Sequence, residues 1–187
     1  FWAAAFLAGI NFVLGWLYLP ETLSCKNRCN FKWQRANPLG AVYTVSAFSS
    51  LRFILVVFLL YQFSTAVYPA IWSFYTLERF AWSTGMIGTS LTLYGISLVC
   101  VQGGLVKPII SKLGEPGAVK LGFIFAVVVL VSIGLVSNEN TLLVLIPFAA
   151  LGAVGETALK AIASQRVEED SQGVLQGALS SLTAISM

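Results

Sequence analysis

The chain has 187 residues, 57% hydrophobic and 10% charged, with a formal net charge of +3 and a mean hydropathy of +0.83. Soluble domains carry about 25% charged residues, so this composition excludes an ordinary soluble domain, and so small a net charge gives no footing for nucleic acid. The chain has no histidine, which excludes Ser-His-Asp and Cys-His catalysis and any His-containing zinc site within it.

The chain opens at Phe1 inside one apolar run and closes at Met187 inside another, and so reads as a segment of a longer protein. Phe1 to Leu19 is the first candidate span, stopped at Pro20-Glu21. Residues 20–50 read as a cytoplasmic central loop, polar and basic over Ser24–Asn37, then a mildly apolar interfacial stretch from Pro38. From residue 51 a partial transmembrane bundle is expected. Its spans are Leu51–Trp72, Met86–Val106, Leu121–Val136, Thr141–Ala163 and 173–187. Between them lie a loop at Thr76–Thr84 with Glu78 and Arg79, one at Lys107–Lys120 with Pro108, Gly114 and Pro116, a turn at Ser137–Asn140, and a charged loop at Gln165–Gln172. Each run approaches the ~20 residues that cross a ~30 Å hydrocarbon core. Backbone groups in lipid must pair within their own segment, and the runs lack the alternation of barrel strands, so the fold class is an all-α membrane bundle.

Charge orients the bundle. Alternate loops share a side, and the first, third and fifth, with their flanks, hold ten of the eleven Lys and Arg; the other side has Arg79. The positive-inside rule places the basic side in the cytoplasm. Trp72, Tyr75 and Trp82, with Tyr68 a turn deeper, read as an aromatic belt at the headgroups, or as a stacking surface for a ligand in the case of Tyr68 and Trp72. Cys25, Cys29 and Cys100 read as reduced thiols, since a lone CxxxC is a weak metal signal. The Gly-rich VQGGLVKP lacks the spacing of a phosphate-binding loop.

Several stretches together carry a resemblance: FWAAAFLAGINFVLGWLYLPETL, RANPLGA, YPAIWSFYTLERFAWSTGMIGTSLTLYGI, VQGGLVKPIISKLGE and ASQRVEEDSQGVLQGALSSL. In this order they resemble the sixth helix, the re-entry after the central loop, helices seven to eight, the eight–nine loop and the ten–eleven loop of major facilitator transporters of the tetracycline-resistance type. The resemblance implies helices six to eleven of about twelve, within the carboxy-terminal half of a two-halved bundle with a midplane site. It implies secondary active transport, with proton-coupled efflux of a drug such as tetracycline, in a multi-pass protein of the cytoplasmic (inner) membrane. Its partners would be lipid, a small-molecule substrate, protons and the amino-terminal half of the same chain, with no cofactor, no metal and no enzymatic step. The alternatives are a same-fold transporter of a sugar, metabolite or other solute, and a non-transporting receptor or scaffold. The eight–nine loop echoes the family's loop motif at Lys112 and Gly114. It departs from the motif at Lys107 (usually Gly), at Ser111 (usually Asp), and at Glu115-Pro116, where a basic pair is usual.

Candidate site residues are polar groups in apolar helices. Glu156 lies past the middle of the fifth span, where a charge costs about 2.5–3.5 kcal/mol. It either lines the translocation path and binds a cation, a proton or a basic group, or pairs locally with Lys160 four residues on. By the resemblance, a neutral residue followed by Pro is usual at Glu156-Thr157. Gln62 and Gln102 are interhelical glue or cavity contacts to substrate, and Tyr94 and Asn11 are weaker candidates of the same kind. Arg166 and Asp170, with Glu168 and Glu169, form either a solvated cluster or a cytoplasmic latch. Gln172 and Gln176, each followed by glycine, share a helix face. They are candidates to bond a neighbouring helix end and set a gate, with Gly173 and Gly177 allowing close helix approach.

Overall fold

The computed structural model describes residues 2–18, 40, 49–168 and 171–187. The chain divides into two compact units, Phe1–Trp33 and Gln34–Met187. The first contains α1 (Trp2–Tyr18), which buries no side chain. Trp2, Phe6, Phe12, Trp16 and Leu17 all stay exposed, as suits a helix that is apolar all round and surrounded by lipid or other helices.

The second unit contains α2 (Ser49–Phe80), α3 (Thr84–Cys100), a π-helical turn (Val101–Leu105), α4 (Val106–Leu135), α5 (Glu139–Gln165) and α6 (Gln172–Ser186). By length and composition Leu51–Phe80, Thr84–Leu135 and Glu139–Gln165 can cross a membrane, and Trp2–Tyr18 is a shorter apolar helix. The 52 residues of Thr84–Leu135 are too many for one crossing at about 1.5 Å per residue. Gly114, at φ 69° and ψ 168°, divides them. Only glycine adopts that conformation without strain, and Pro116 two residues on suits a helix's first turn.

The helices outrun the expected spans. α2 continues through Glu78 and Arg79 to Phe80 instead of ending near Trp72, and the expected loop at Lys107–Lys120 is helical up to Leu113 and again from Glu115. Hydropathy marks where lipid stops. A helix stops where its backbone bonds are broken, and that requires Gly114 or the left-handed Ala81 (φ 50°), whose amide closes α2 by bonding the Leu77 carbonyl at 3.0 Å. The next helices are capped: the Ser83 hydroxyl accepts from the Met86 amide at 3.3 Å and Asn138 Oδ1 from the Asn140 amide at 2.8 Å.

Three clusters hold the unit together. At the basic end, Leu51, Leu55 and Phe58 of α2 pack on Leu159 and Ala163 of α5 and on Leu175, Ala178, Leu179 and Leu182 of α6. In the middle, Val101, Val106 and Ala118 meet Ala150, Val154 and Ala158. At the opposite end Trp72 and Trp82 pack with Val129, Ile133, Leu142 and Ile146. The two tryptophans are only 8% and 3% exposed, so they are core residues and not a lipid-facing belt. Trp72 Nε1 donates to Ser90 Oγ at 3.0 Å and Trp82 Nε1 to Glu139 Oε2 at 3.3 Å.

The tightest helix crossing is one the sequence did not single out. A Cβ on Gly122 of α4 would lie 2.2 Å from the Gly155 nitrogen of α5, and one on Gly155 would lie 2.8 Å from Phe123 Cδ1. Gly173 has nothing within 4 Å of where its Cβ would be, so the close approach expected there is absent, and Gly122 and Gly155 make one that the sequence did not mark.

Candidate functional site

Polar groups that face the interior gather on three helices. On α2, Tyr61, Thr65, Tyr68 and Trp72 recur at helical spacing along one face. Pro69 among them removes a backbone donor, and the Thr65 hydroxyl bonds the Tyr61 and Gln62 carbonyls at 3.2 Å each. α3 contributes Ser90 and Tyr94 one turn apart, and α5 contributes Ile146 and Ala149. With Thr65, Tyr68, Pro69 and Trp72 of α2 and Ile133 of α4 they line a cavity of about 300 Å³. Its wall is aromatic: Tyr68 and Tyr94 stack at 6.4 Å with 19° between planes, and Trp72 lies 6.3 Å from Tyr68.

Glu156 lies two turns beyond Ala149 on the same face of α5. Its carboxylate is 2.7 Å from Lys160 Nζ, with the two side chains 28% and 43% exposed. The same ammonium stands 5.7 Å from the Phe58 ring centre. Tyr61 stacks on Phe123 at 4.9 Å, and its hydroxyl sits 3.6 Å from where a Gly152 Cβ would be, one turn before Glu156. Tyr61 and Tyr68 therefore join Tyr94 and Glu156 as interior polar groups. Sequence reasoning passed over Tyr61 because an isolated tyrosine in an apolar run carries no periodic signal beyond that of the core.

The other candidates fall elsewhere. Gln62 is buried and donates to Thr183 Oγ1 of α6 at 2.7 Å. Gln102 lies in the π-helical turn and is exposed, beside Gly103 and Gly104. Asn11 is exposed on α1. Lys112 is exposed next to the Gly114 break. At the same end of the bundle Gln165 Nε2 donates to Glu115 Oε1 at 2.6 Å, tying that break to the end of α5. Arg166 closes α5, its amide bonding the Ala163 carbonyl at 3.2 Å. Asp170 and Glu169 lie outside the described residues. Gln172 clasps the end of α5. Its Nε2 donates to the Ser164 and Val167 carbonyls at 2.7 and 3.1 Å, and its Oε1 accepts from Ser164 Oγ at 2.9 Å. Gln176 points away and is exposed. Cys100 is free and exposed, as expected; Cys25 and Cys29 lie outside the described residues.

Long apolar helices that double back on one another, with tyrosines and one carboxylate turned inward, define a multi-pass helical membrane protein. The chain is 29% identical over 186 residues to tetracycline resistance protein class C of Escherichia coli and 31% identical over 186 residues to class G of Vibrio anguillarum. Both alignments take in 100% of this chain and 47% of the relative. Class B of Escherichia coli is 26% identical over 183 residues, covering 98% of this chain and 45% of that protein. The chain thus spans about half the length of the curated relatives it matches. No family model matches it, and no solved structure does. Over its whole length the chain is similar to tetracycline resistance proteins, the type of transporter that its motifs resemble.

Proposed function

We propose that this chain forms the carboxy-terminal half of a secondary active transporter in the cytoplasmic membrane, exporting a drug such as tetracycline in exchange for protons. The observation that carries the reading is an aromatic cavity inside the bundle, with Glu156 two turns away, in a chain similar from end to end to tetracycline resistance proteins. Transporters of this architecture bind substrate near the midplane where two halves meet. α5 has 27 residues, and Glu156 falls only a few residues past its middle. In this reading Tyr68, Trp72 and Tyr94 contact the substrate and Glu156 carries the exchanged proton. Lys112 and Gly114 on one turn, and Gln172 with Arg166 and Asp170 on the next, close the cytoplasmic side. Gln62 holds α2 to α6 as glue.

The test uses everted vesicles containing the full-length protein, with respiration acidifying the lumen and a pH dye reporting it. Adding tetracycline should discharge the gradient, and Glu156→Gln should abolish that discharge while leaving insertion intact. No discharge by tetracycline or any of a drug panel, with correctly inserted protein, would overturn drug export. The second reading, the same fold moving another small solute, is favoured by Glu156-Thr157, where the family's usual neutral residue and proline are replaced. It predicts discharge by that solute and none by tetracycline.

A further inference from the structure

The carboxylate two turns from the cavity is already paired with a cation of the protein's own. Lys160 reaches Glu156 at 2.7 Å and stands over the Phe58 ring at 5.7 Å. An ammonium held by one carboxylate and one aromatic face is how proteins recognise organic cations. Glu156 is also the only acid in the interior of the spanning helices among the described residues. Glu78, Glu115, Glu139 and Glu168 all stand at helix ends or turns.

We propose that the site selects amphipathic organic cations: an apolar or aromatic body fills the cavity, and a protonated amine or quaternary ammonium head takes the place of Lys160 on Glu156. The proposal rests on the transport reading above and names its substrate class. The cavity supplies the body's half of the recognition, since its wall of Tyr68, Pro69, Trp72, Tyr94, Ile146 and Ala149 carries no charge. At about 300 Å³ it stands at the lower end of the usual range for small-molecule pockets. Distance supplies the rest. Ala149 at the cavity and Glu156 differ by seven residues, which places them on one face about 10 Å apart along the axis. Tyr94, stacked on Tyr68 at 6.4 Å, extends the aromatic wall between α2 and α3. A ligand with its charge about 10 Å from its ring satisfies both ends. A neutral ligand of the same shape fills the cavity and leaves the Glu156–Lys160 pair in place, and an anion is repelled.

The experiment compares binding of three isosteric probes to the purified full-length protein: phenylhexylammonium, phenylhexanol and phenylheptanoate. Tetracycline-driven proton flux is measured on the same preparation. The ammonium should bind at least about tenfold more tightly than the alcohol, with the carboxylate weakest. Glu156→Gln should remove that preference. Lys160→Met, which deletes the resident competitor, should tighten ammonium binding several-fold and leave the alcohol unchanged. Should Glu156→Gln fail to accumulate as folded protein, Lys160→Met decides, because unchanged or weaker ammonium binding there overturns the proposal. Equal binding of ammonium and alcohol, alongside intact tetracycline-driven flux, overturns the cation class and leaves export standing. Absence of both binding and flux overturns the two readings together.

Discussion

Adding one methyl group at Gly122 tests the packing that positions the site. A Cβ there would lie 2.2 Å from the Gly155 nitrogen, 2.6 Å from its Cα and 3.1 Å from the Gly152 oxygen. All three obstacles are backbone, so no rotamer change relieves them, and α4 and α5 must move apart. Bringing 2.2 Å out to the 3.4 Å where ordinary contact begins requires about 1.2 Å of local separation. A gap of about 0.5–1 Å already forfeits a quarter to a half of a dispersion contact, and the layer that opens contains Ala118, Ala150, Val154 and Ala158. Overpacking commonly costs about 1–3 kcal/mol; with rigid obstacles on every side, Gly122→Ala should lie at or above about 3 kcal/mol. The control is Gly134→Ala on the same helix, where nothing lies within 4 Å. There the methyl removes a helix-propensity penalty of about 1 kcal/mol, so the sign reverses. Thermal unfolding of the full-length protein in detergent, followed by tryptophan fluorescence, separates the two. If Gly122→Ala unfolds at or above the temperature of Gly134→Ala, the close crossing of α4 and α5 is refuted.

Three further predictions follow from single contacts. Gln62→Leu removes the bond to Thr183, whose hydroxyl keeps its bond to the Leu179 carbonyl. Unfolding should shift by only about 0.6 kcal/mol, and a large loss of substrate-driven flux at unchanged stability would instead put Gln62 on the path. Gln172→Ala strips the clasp from the end of α5 and should cost about 1 kcal/mol. It should speed hydrogen exchange at amides 164–168, and unaltered exchange there would remove Gln172 as a cap. Gly114→Ala forces a left-handed conformation on a residue with a Cβ and should destabilise by about 1–2 kcal/mol. Unchanged unfolding would mean the α4 break can be made without positive φ.

The all-α membrane fold class was legible because about twenty apolar residues in a row have one physical use. The Glu156–Lys160 contact was legible as an alternative because helical spacing alone puts the two side chains together. The helix ends were not legible, because lipid thickness and hydrogen-bond continuity are separate constraints. Thr76–Phe80 and 107–113 stay helical outside the expected spans. Trp72 and Trp82 misled for a related reason. A tryptophan near a span's end suits the headgroup layer equally well as a buried donor, and only Ser90 and Glu139, brought in from other helices, decide for burial. The sequence displayed Gly173 and Gly177 as a spaced pair on one helix, whereas the pair that touches is Gly122 and Gly155, thirty-three positions apart. Spacing along one helix shows which residues share a face and says nothing of which face meets a neighbour.

That crossing also explains where the candidate site gets its rigidity. Glu156 is the residue after Gly155, and Gly152 beside Tyr61 is one turn earlier. The backbone that carries the carboxylate is therefore held at its closest contact with α4, on a helix rather than a loop, as a precise site requires. Phe123, next to Gly122, stacks on Tyr61 at 4.9 Å, so the same contact that fixes the height of Glu156 also fixes one of the hydroxyls near it. Stability and recognition are then coupled through one pair of glycines. Gly122→Ala, held well below its unfolding temperature, should weaken ammonium binding as well as lower the melting point, while Gly134→Ala should change only the latter. Full binding strength in folded Gly122→Ala protein would show that Glu156 keeps its place without the crossing.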